Sequence, residues 1–273
     1  MSNFWQRTLT GVIFVVAIIG GMWWHAYSYL LIFFTVVLLG MLEFVEMVKA
    51  RPVSAQIGWA LVLGIFWYVT SFFVLSGDIS ARWLMFVVPM IMGVFMTELF
   101  RNSNTPLLNI ACTLIIPFYV ALPFSFLHFL VFKSGVYDYG LLLGFFLLIW
   151  ANDSGAYLVG VNFGKHKLFP RISPNKSWEG AIGGFVFTLI IAFILSHFDS
   201  DLMVIHWLII GVIVAIMGTF GDLVESMLKR SVNVKDSGSL LPGHGGVLDR
   251  FDAVIFAAPL VCGYFILIRF LFN

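Results

Sequence analysis

The sequence predicts an all-α polytopic integral membrane protein with about nine transmembrane helices and a cytoplasmic N-terminus. Three observations carry that reading. The 273-residue chain is 61% hydrophobic and 11% charged, with a mean hydropathy of +1.01, whereas a soluble domain is nearer half apolar and about a quarter charged. Its apolar residues fall in continuous runs and do not alternate, which excludes an outer-membrane barrel. Its basic residues gather in alternate loops. The net charge of +1 gives no reason to expect a nucleic-acid partner. Cys112 and Cys262 both fall inside apolar runs, so they read as small buried filler and not as a disulfide or metal pair.

A bilayer core needs about 20 apolar residues per helix, and breaks at charges, Gly and Pro mark nine segments. The first, 8–24, follows Arg7 much as a signal peptide would. Trp23, Trp24 and His25 come next instead of a small-x-small cleavage site, so an uncleaved anchor is expected. The second, 27–47, stops before Lys49, Arg51 and Pro52; the third, 57–75, stops at Gly77 and Asp78. The fourth, 83–100, lies between Arg82 and Arg101. The fifth, 107–131, contains Pro117 and Pro123 and is expected to kink or split. The remaining four are 140–161, 178–197, 203–228 and 252–271.

Nine spans put the two termini on opposite sides. One side then receives Arg7, Lys49, Arg51, Arg101, Lys165, Lys167, Arg171, Lys176, Lys229, Arg230, Lys235 and Arg250. The other receives Arg82, Lys133 and Arg269, which completes the 15 basic residues. Positively charged loops stay in the cytoplasm, so the first side is expected to be cytoplasmic. Residues 1–149 would form about five helices, supplying either a dimer face or a lipid entrance. Residues 150–273 would form a catalytic region whose site faces the cytoplasm.

Asp199 and Asp201 sit in a short loop on the other side, where a solvated surface role suffices. Asp153, Glu179, Asp222, Glu225, Asp249 and Asp252 instead stand at the cytoplasmic ends of the last four helices. A carboxylate at mid-membrane costs roughly 2.5–3.5 kcal/mol on insertion scales, so such residues usually serve a function or a buried pair. In GDLVESMLKR, residues 221–230, Asp222, Ser226 and Lys229 share one helical face, with Glu225 beside them. VKDSGSLLPGHGG, residues 234–246, follows with glycines at 238, 243, 245 and 246 and Pro242, which forbids a regular helix. Small residues admit phosphate close to backbone N–H groups, and Lys229, Arg230, Lys235 and Arg250 supply countercharge. LDRFD then opens the last helix with Asp249 and Asp252 at i and i+3.

Taken singly, each of these features has an ordinary reading as an interfacial turn or a topogenic charge. Together, two acidic helix ends joined by a basic Gly-rich loop suggest a hard cation bridging carboxylates and phosphates. Oxygen ligands favour Mg²⁺, while zinc is disfavoured because His244 is the one histidine of the cluster and neither cysteine is near in sequence. A second polar loop, KHKLFPRISPNKSWEG, holds Ser173, Asn175, Lys176, Ser177 and Glu179. Its Ser177 and Glu179 also fit an ordinary helix cap. The preceding helix carries WANDSGAY, where Asn152, Asp153, Ser154 and Tyr157 interrupt an apolar run.

Ser226-x-Leu228-Lys229-Arg230, then Lys235-Asp236, Leu241-Pro242-x-His244-Gly245-Gly246 and Asp249-Arg250-x-Asp252 resemble the hallmark of phosphatidate cytidylyltransferases (CDP-diacylglycerol synthases), with no departure over residues 226–252. NDSGAY and SPNKSWEG also resemble that family. It more often has Lys-Thr where this chain reads Asn175-Lys176-Ser177, and Ser177 keeps the hydroxyl. The likeness is specific over 150–252 and general, in hydropathy, over 1–149. It implies an integral-membrane enzyme that joins CTP to phosphatidic acid, releasing pyrophosphate. It further implies a homodimer and Mg²⁺ dependence, with Mn²⁺ as an alternative and a second cation such as K⁺. In a bacterium, the location implied is the inner (cytoplasmic) membrane.

Matched residue by residue, the resemblance places metal on Asp222 and Asp249, and Ser226 and Lys229 at the phosphate site. Lys229, Arg230, Lys235, Asp236, His244, Arg250 and Asp252 form the expected catalytic group. Asn152, Asp153, Tyr157, Ser173, Asn175, Lys176, Ser177, Glu179, Glu225, Ser226, Gly245 and Gly246 form the expected substrate-binding group. Lys229→Ala is expected to weaken phosphate handling more than folding. A CTP-dependent lipid kinase of the dolichol-kinase type is the rival enzyme. A transporter is the non-enzymatic rival, although the acids gather at one face and no inverted repeat is visible. The Asp-Gly-x-x-Ala-Arg motif of CDP-alcohol phosphotransferases is missing.

Overall fold

The structure, a computed structural model, describes residues 3–133, 135–199, 201–234, 237–238 and 245–272. Its helices are α1 (Asn3–Trp24), α2 (Ala26–Lys49), α3 (Ile57–Leu75), α4 (Val87–Phe100, preceded by a 3-10 segment at Ala81–Phe86), α5 (Pro106–Tyr119), α6 (Ala121–Val131), α7 (Gly140–Phe163), α8 (Trp178–Leu195), α9 (Val204–Ser231) and α10 (Leu248–Phe272). Among the described residues, 8 segments are long and apolar enough to cross a membrane, and α1 adds the shorter apolar stretch Gly11–Trp24. Eight of the nine expected spans thus have the length and apolarity to cross, and the first is present as the shorter apolar helix of α1. One feature lies outside an all-α reading: β1 (Lys167–Phe169) and β2 (Ser173–Ser177) pair antiparallel, Lys167 opposite Ser177 and Phe169 opposite Ser173. Pro170 and Pro174 remove donors and bar a helix there, leaving extended backbone that pairs with itself. Both cysteines are free.

The chain divides into two compact units, Met1–Tyr139 with Ser231–Arg250, and Gly140–Arg230 with Phe251–Asn273. In the first unit, α5 and α6 meet at Val120, with Pro117 inside α5 and Pro123 in the first turn of α6. Their partners on and just before α3 rise in step. Ser54 N–H donates to Asn109 Oδ1, Gln56 N–H to Thr113 Oγ1 and Trp67 Nε1–H to Ser125 Oγ. His128 Nε2 donates to the Tyr68 carbonyl. The pair α5–α6 is therefore one broken span running parallel to α3. With Nε2 donating, His128 Nδ1 accepts from the Tyr29 hydroxyl at 2.8 Å. Phe33, Phe72 and Phe124, all buried, pack around this polar pair.

In the second unit, α7 and α8 approach through small residues. A Cβ added at Gly155 would lie 2.7 Å from the Phe187 side chain, and one at Gly184 would lie 2.7 Å from the Asn152 carbonyl. Membrane helices lack a hydrophobic force between them, so close backbone packing of this kind holds them together. Along α9, Gly218 faces Ala253 and Gly221 touches the Asp252 backbone of α10.

Candidate active site

The last two turns of α9 carry Asp222, Glu225, Ser226 and Lys229 on adjoining faces, as their spacing predicts. Ser226 Oγ donates to Asp222 Oδ1 at 3.3 Å. Lys229 Nζ donates to Glu225 Oε2 at 2.9 Å, and the two side chains are only 10% and 2% exposed. Lys229 thus lies inside the unit instead of snorkelling to its surface. Lys176, on β2, reaches Asp222 Oδ2 at 2.5 Å. Asp222, Glu225 and Asp153 are all near enough to Asp252 to act on it electrostatically. The second unit thereby brings four acidic residues of α7, α9 and α10 into one field, with Lys176 and Lys229 as countercharges.

Asn152 belongs beside them. Its side chain is buried between Gly184 and Gly218, and its Oδ1 has no hydrogen-bond partner among the described residues. Ser177 is the N-cap of α8, its hydroxyl accepting from Gly180 N–H at 3.1 Å. Glu179 turns back and accepts from Lys165 N–H, His166 N–H and His166 Nδ1, the last at 2.6 Å. With Trp178 N–H on the His166 carbonyl, this ties the β1–β2 hairpin to the start of α8. Glu179 thereby supports the hairpin that carries Lys176. Ser173 and Asn175 lie on β2, and Tyr157 is exposed on α7. Arg230 and Arg250 are also exposed.

The first unit holds Asp249, Gly245 and Gly246. Asp249 Oδ2 accepts from Gly246 N–H at 2.8 Å and from Ser237 N–H at 3.2 Å. Gly245 takes φ +80, a left-handed conformation that favours glycine, and a Cβ there would also press on Asp249. Glu43 of α2 joins this unit's polar residues without belonging to any of the motifs above. Its carboxylate, 3% exposed, accepts from Ser237 Oγ, Val247 N–H and Leu248 N–H. The available signal was a carboxylate in an otherwise apolar run, the same signal that marked the other acids. Lys235, Asp236 and His244 lie outside the described residues.

The acids suit a hard cation by chemistry. Asp222, Glu225, Asp252 and Asp153 offer only oxygen, Asn152 adds an amide oxygen, and their charge exceeds that of the two lysines. Among the described residues no three His, Cys, Asp or Glu form a closed metal cage. Mg²⁺ needs none, since it takes one or two protein carboxylates and completes its shell with phosphate and water.

Residues 5–268 match the cytidylyltransferase family. The chain is 51% identical over 124 residues to the phosphatidate cytidylyltransferase of Haemophilus influenzae, which is 44% of this chain and 43% of that protein. It is 47% identical over 138 residues to that of Staphylococcus haemolyticus, 50% of this chain and 52% of that one. Those two alignments span about half of each relative. A third, with the phosphatidate cytidylyltransferase of Bacillus subtilis, runs over 99% of this chain and 100% of the relative at 35% identity. A family match over nearly all of the chain, with a full-length relative at that identity, shows that this protein belongs to the cytidylyltransferase family.

Proposed function

We propose that this protein transfers the cytidylyl group of CTP to phosphatidic acid, giving CDP-diacylglycerol and pyrophosphate. The full-length likeness to a phosphatidate cytidylyltransferase carries the reading. The acidic field of the second unit, with Lys176 and Lys229 set into it, supplies the chemistry such a reaction needs. A phosphate oxygen of the lipid attacks the α-phosphorus of CTP. The bond from that phosphorus to the α,β-bridging oxygen breaks, and pyrophosphate leaves with the electron pair. No protein nucleophile is required.

The protein's work is to hold two polyanions together and stabilise charge on the leaving group. Lys176 stands at the surface of the acidic field, where a nucleotide phosphate can reach it. Lys229, held by Glu225, places a fixed positive charge one helical turn beyond. Ser226 offers a hydroxyl on the face of Asp222. Asp222 and Asp249 are the residues proposed to hold Mg²⁺, or Mn²⁺, with a second cation such as K⁺ nearby. When bound, such an ion neutralises phosphate charge and polarises the P–O bonds. The reading extends to a homodimer in the inner membrane of a bacterium, with its basic loops and active site toward the cytoplasm, where CTP is.

Purified protein given CTP labelled at the α-phosphate with ³²P, phosphatidic acid and Mg²⁺ should place label in the lipid and release unlabelled pyrophosphate. Lipid that takes up label only from γ-labelled CTP would sink this reading in favour of a lipid kinase. Absence of pyrophosphate release with both substrates present would remove the enzyme reading altogether.

A further inference from the structure

We infer that Glu43 of α2 is a positioning residue for the active site. It ties Ser237 to the start of α10 and so sets the place of Asp249. The inference rests on the cytidylyl-transfer reading.

Glu43 lies in an apolar helix and is 3% exposed. A buried carboxylate is costly unless donors surround it. Its three donors come from both ends of the segment 239–244: Ser237 Oγ at 3.1 Å on one side, Val247 N–H at 2.8 Å and Leu248 N–H at 2.9 Å on the other. Val247 directly precedes α10 and Leu248 is its first residue, so neither amide has a carbonyl partner within the helix. Negative charge at a helix N-terminus is also favoured by the helix dipole.

Asp249 makes the same connection from the other direction. It accepts from Ser237 N–H and Gly246 N–H. Two carboxylates therefore join the same two pieces of backbone, and Ser237 gives its N–H to one and its hydroxyl to the other. Two glycines of the loop are explained by this arrangement. A Cβ at Gly238 would lie 2.6 Å from Glu43 Oε1, and one at Gly246 would lie 2.6 Å from Glu43 Oε2. At Gly246 the Ser237 hydroxyl lies closer still, so both glycines make room for the bonded Glu43–Ser237 pair, and phosphate need not be invoked for those two positions. Without Glu43, the Ser237 hydroxyl and the Val247 and Leu248 amides lose this acceptor, and the bonds of Asp249 to Ser237 and Gly246 have to hold the junction without it.

The test uses the full-length protein in detergent, comparing wild type with Glu43→Gln, Glu43→Asp and Asp249→Asn. Glutamine keeps the shape but replaces one accepting oxygen with a donating NH₂. Hydrogen–deuterium exchange of peptides covering 237–249 should speed up by about tenfold in Glu43→Gln, the scale of one lost charge-assisted bond. Peptides from α7, α8 and α9 should keep wild-type exchange. Turnover should fall by about tenfold or more, with the KM for CTP within about threefold, as for loss of a transition-state placement. Glu43→Asp, which keeps the charge, should recover part of both.

Wild-type exchange and turnover in Glu43→Gln would overturn the inference. So would faster exchange spread over every helix, because that is the mark of a general structural role. Should Glu43→Gln fail to fold, Ser237→Ala removes one bond and should show the same local exchange in milder form; no change there overturns the inference as well. Exchange needs no turnover. A wild type that makes no CDP-diacylglycerol therefore sinks the cytidylyl-transfer reading and leaves the exchange data to decide Glu43's hold on Ser237 and the start of α10, whereas an Asp249→Asn variant as active as wild type overturns Glu43 as a positioning residue for the reaction and leaves the cytidylyl-transfer reading standing.

Discussion

Lys229 and Glu225 are a buried ion pair on consecutive turns of α9, with the ammonium 2.9 Å from Glu225 Oε2. Such a pair adds little net stability, because desolvation offsets most of the attraction, but removing one partner strands the other charge. Glu225 and Asp222 both act on Asp252, so loss of the ammonium takes a countercharge away from a group of carboxylates. Lys229→Ala is expected from sequence to affect phosphate handling more than folding, and the burial of Lys229 adds a folding cost to that expectation. Lys229→Met should destabilise the protein by about 3–5 kcal/mol, measured as unfolding in detergent by a rising fraction of denaturant. Lys229→Met combined with Glu225→Gln should regain most of that stability and still lack activity. A single Lys229→Met variant as stable as wild type would remove the ion pair from this account. Glu43 and Glu225 are therefore alike in one respect. Each is an acid tolerated inside an apolar helix because specific donors meet it.

The β1–β2 hairpin lacks a hydrophobic core, so its conformation depends on its attachments. Glu179 holds the Lys165–His166 end, and Lys176 leads from β2 to Asp222. Cutting the first attachment should loosen the second. Glu179→Ala should make trypsin cleave faster after Lys165, Lys167 and Arg171 while the membrane helices keep their unfolding midpoint. Turnover should drop with it, because Lys176 no longer stays at Asp222. Cleavage at the wild-type rate would mean the hairpin stands without Glu179. The helices were legible in sequence because a run of about 20 apolar residues has few alternatives in a bilayer. Even the break near Val120 was visible, through Pro117 and Pro123. The hairpin was not, since its pairing follows from Pro170, Pro174 and a glutamate 13 and 14 residues from the amides it accepts. The acids of α9 and α10 were legible by spacing, whereas Glu43 meets partners about two hundred residues away, a distance over which local pattern carries no information.

At the scale of the whole molecule, orientation follows from counting spans and charges together. The count needs α5 and α6 to act as one crossing. The parallel pairing with α3, from Asn109 beside Ser54 to His128 beside Tyr68, supports that, because a re-entrant pair would reverse the order halfway. With nine crossings, twelve of the 15 basic residues fall on the N-terminal side. Eight of those twelve, however, lie in the loops 164–177 and 229–250, which also hold proposed site residues, so their charge has a second explanation. Only Arg7, Lys49, Arg51 and Arg101 remain as topogenic charges against Arg82, Lys133 and Arg269, and a margin of one charge decides little. A measurement independent of charge is needed. In a background with Cys112→Ala and Cys262→Ala, single cysteines placed by Arg82→Cys and Lys167→Cys are both exposed in the structure. A membrane-impermeant maleimide applied to intact cells should label the cysteine at 82 and reach the one at 167 only after the membrane is permeabilised. The reverse pattern would invert the protein and put the acidic field on the side without CTP. Labelling of both in intact cells would break the parity itself, and with it the treatment of α5–α6 as a single span.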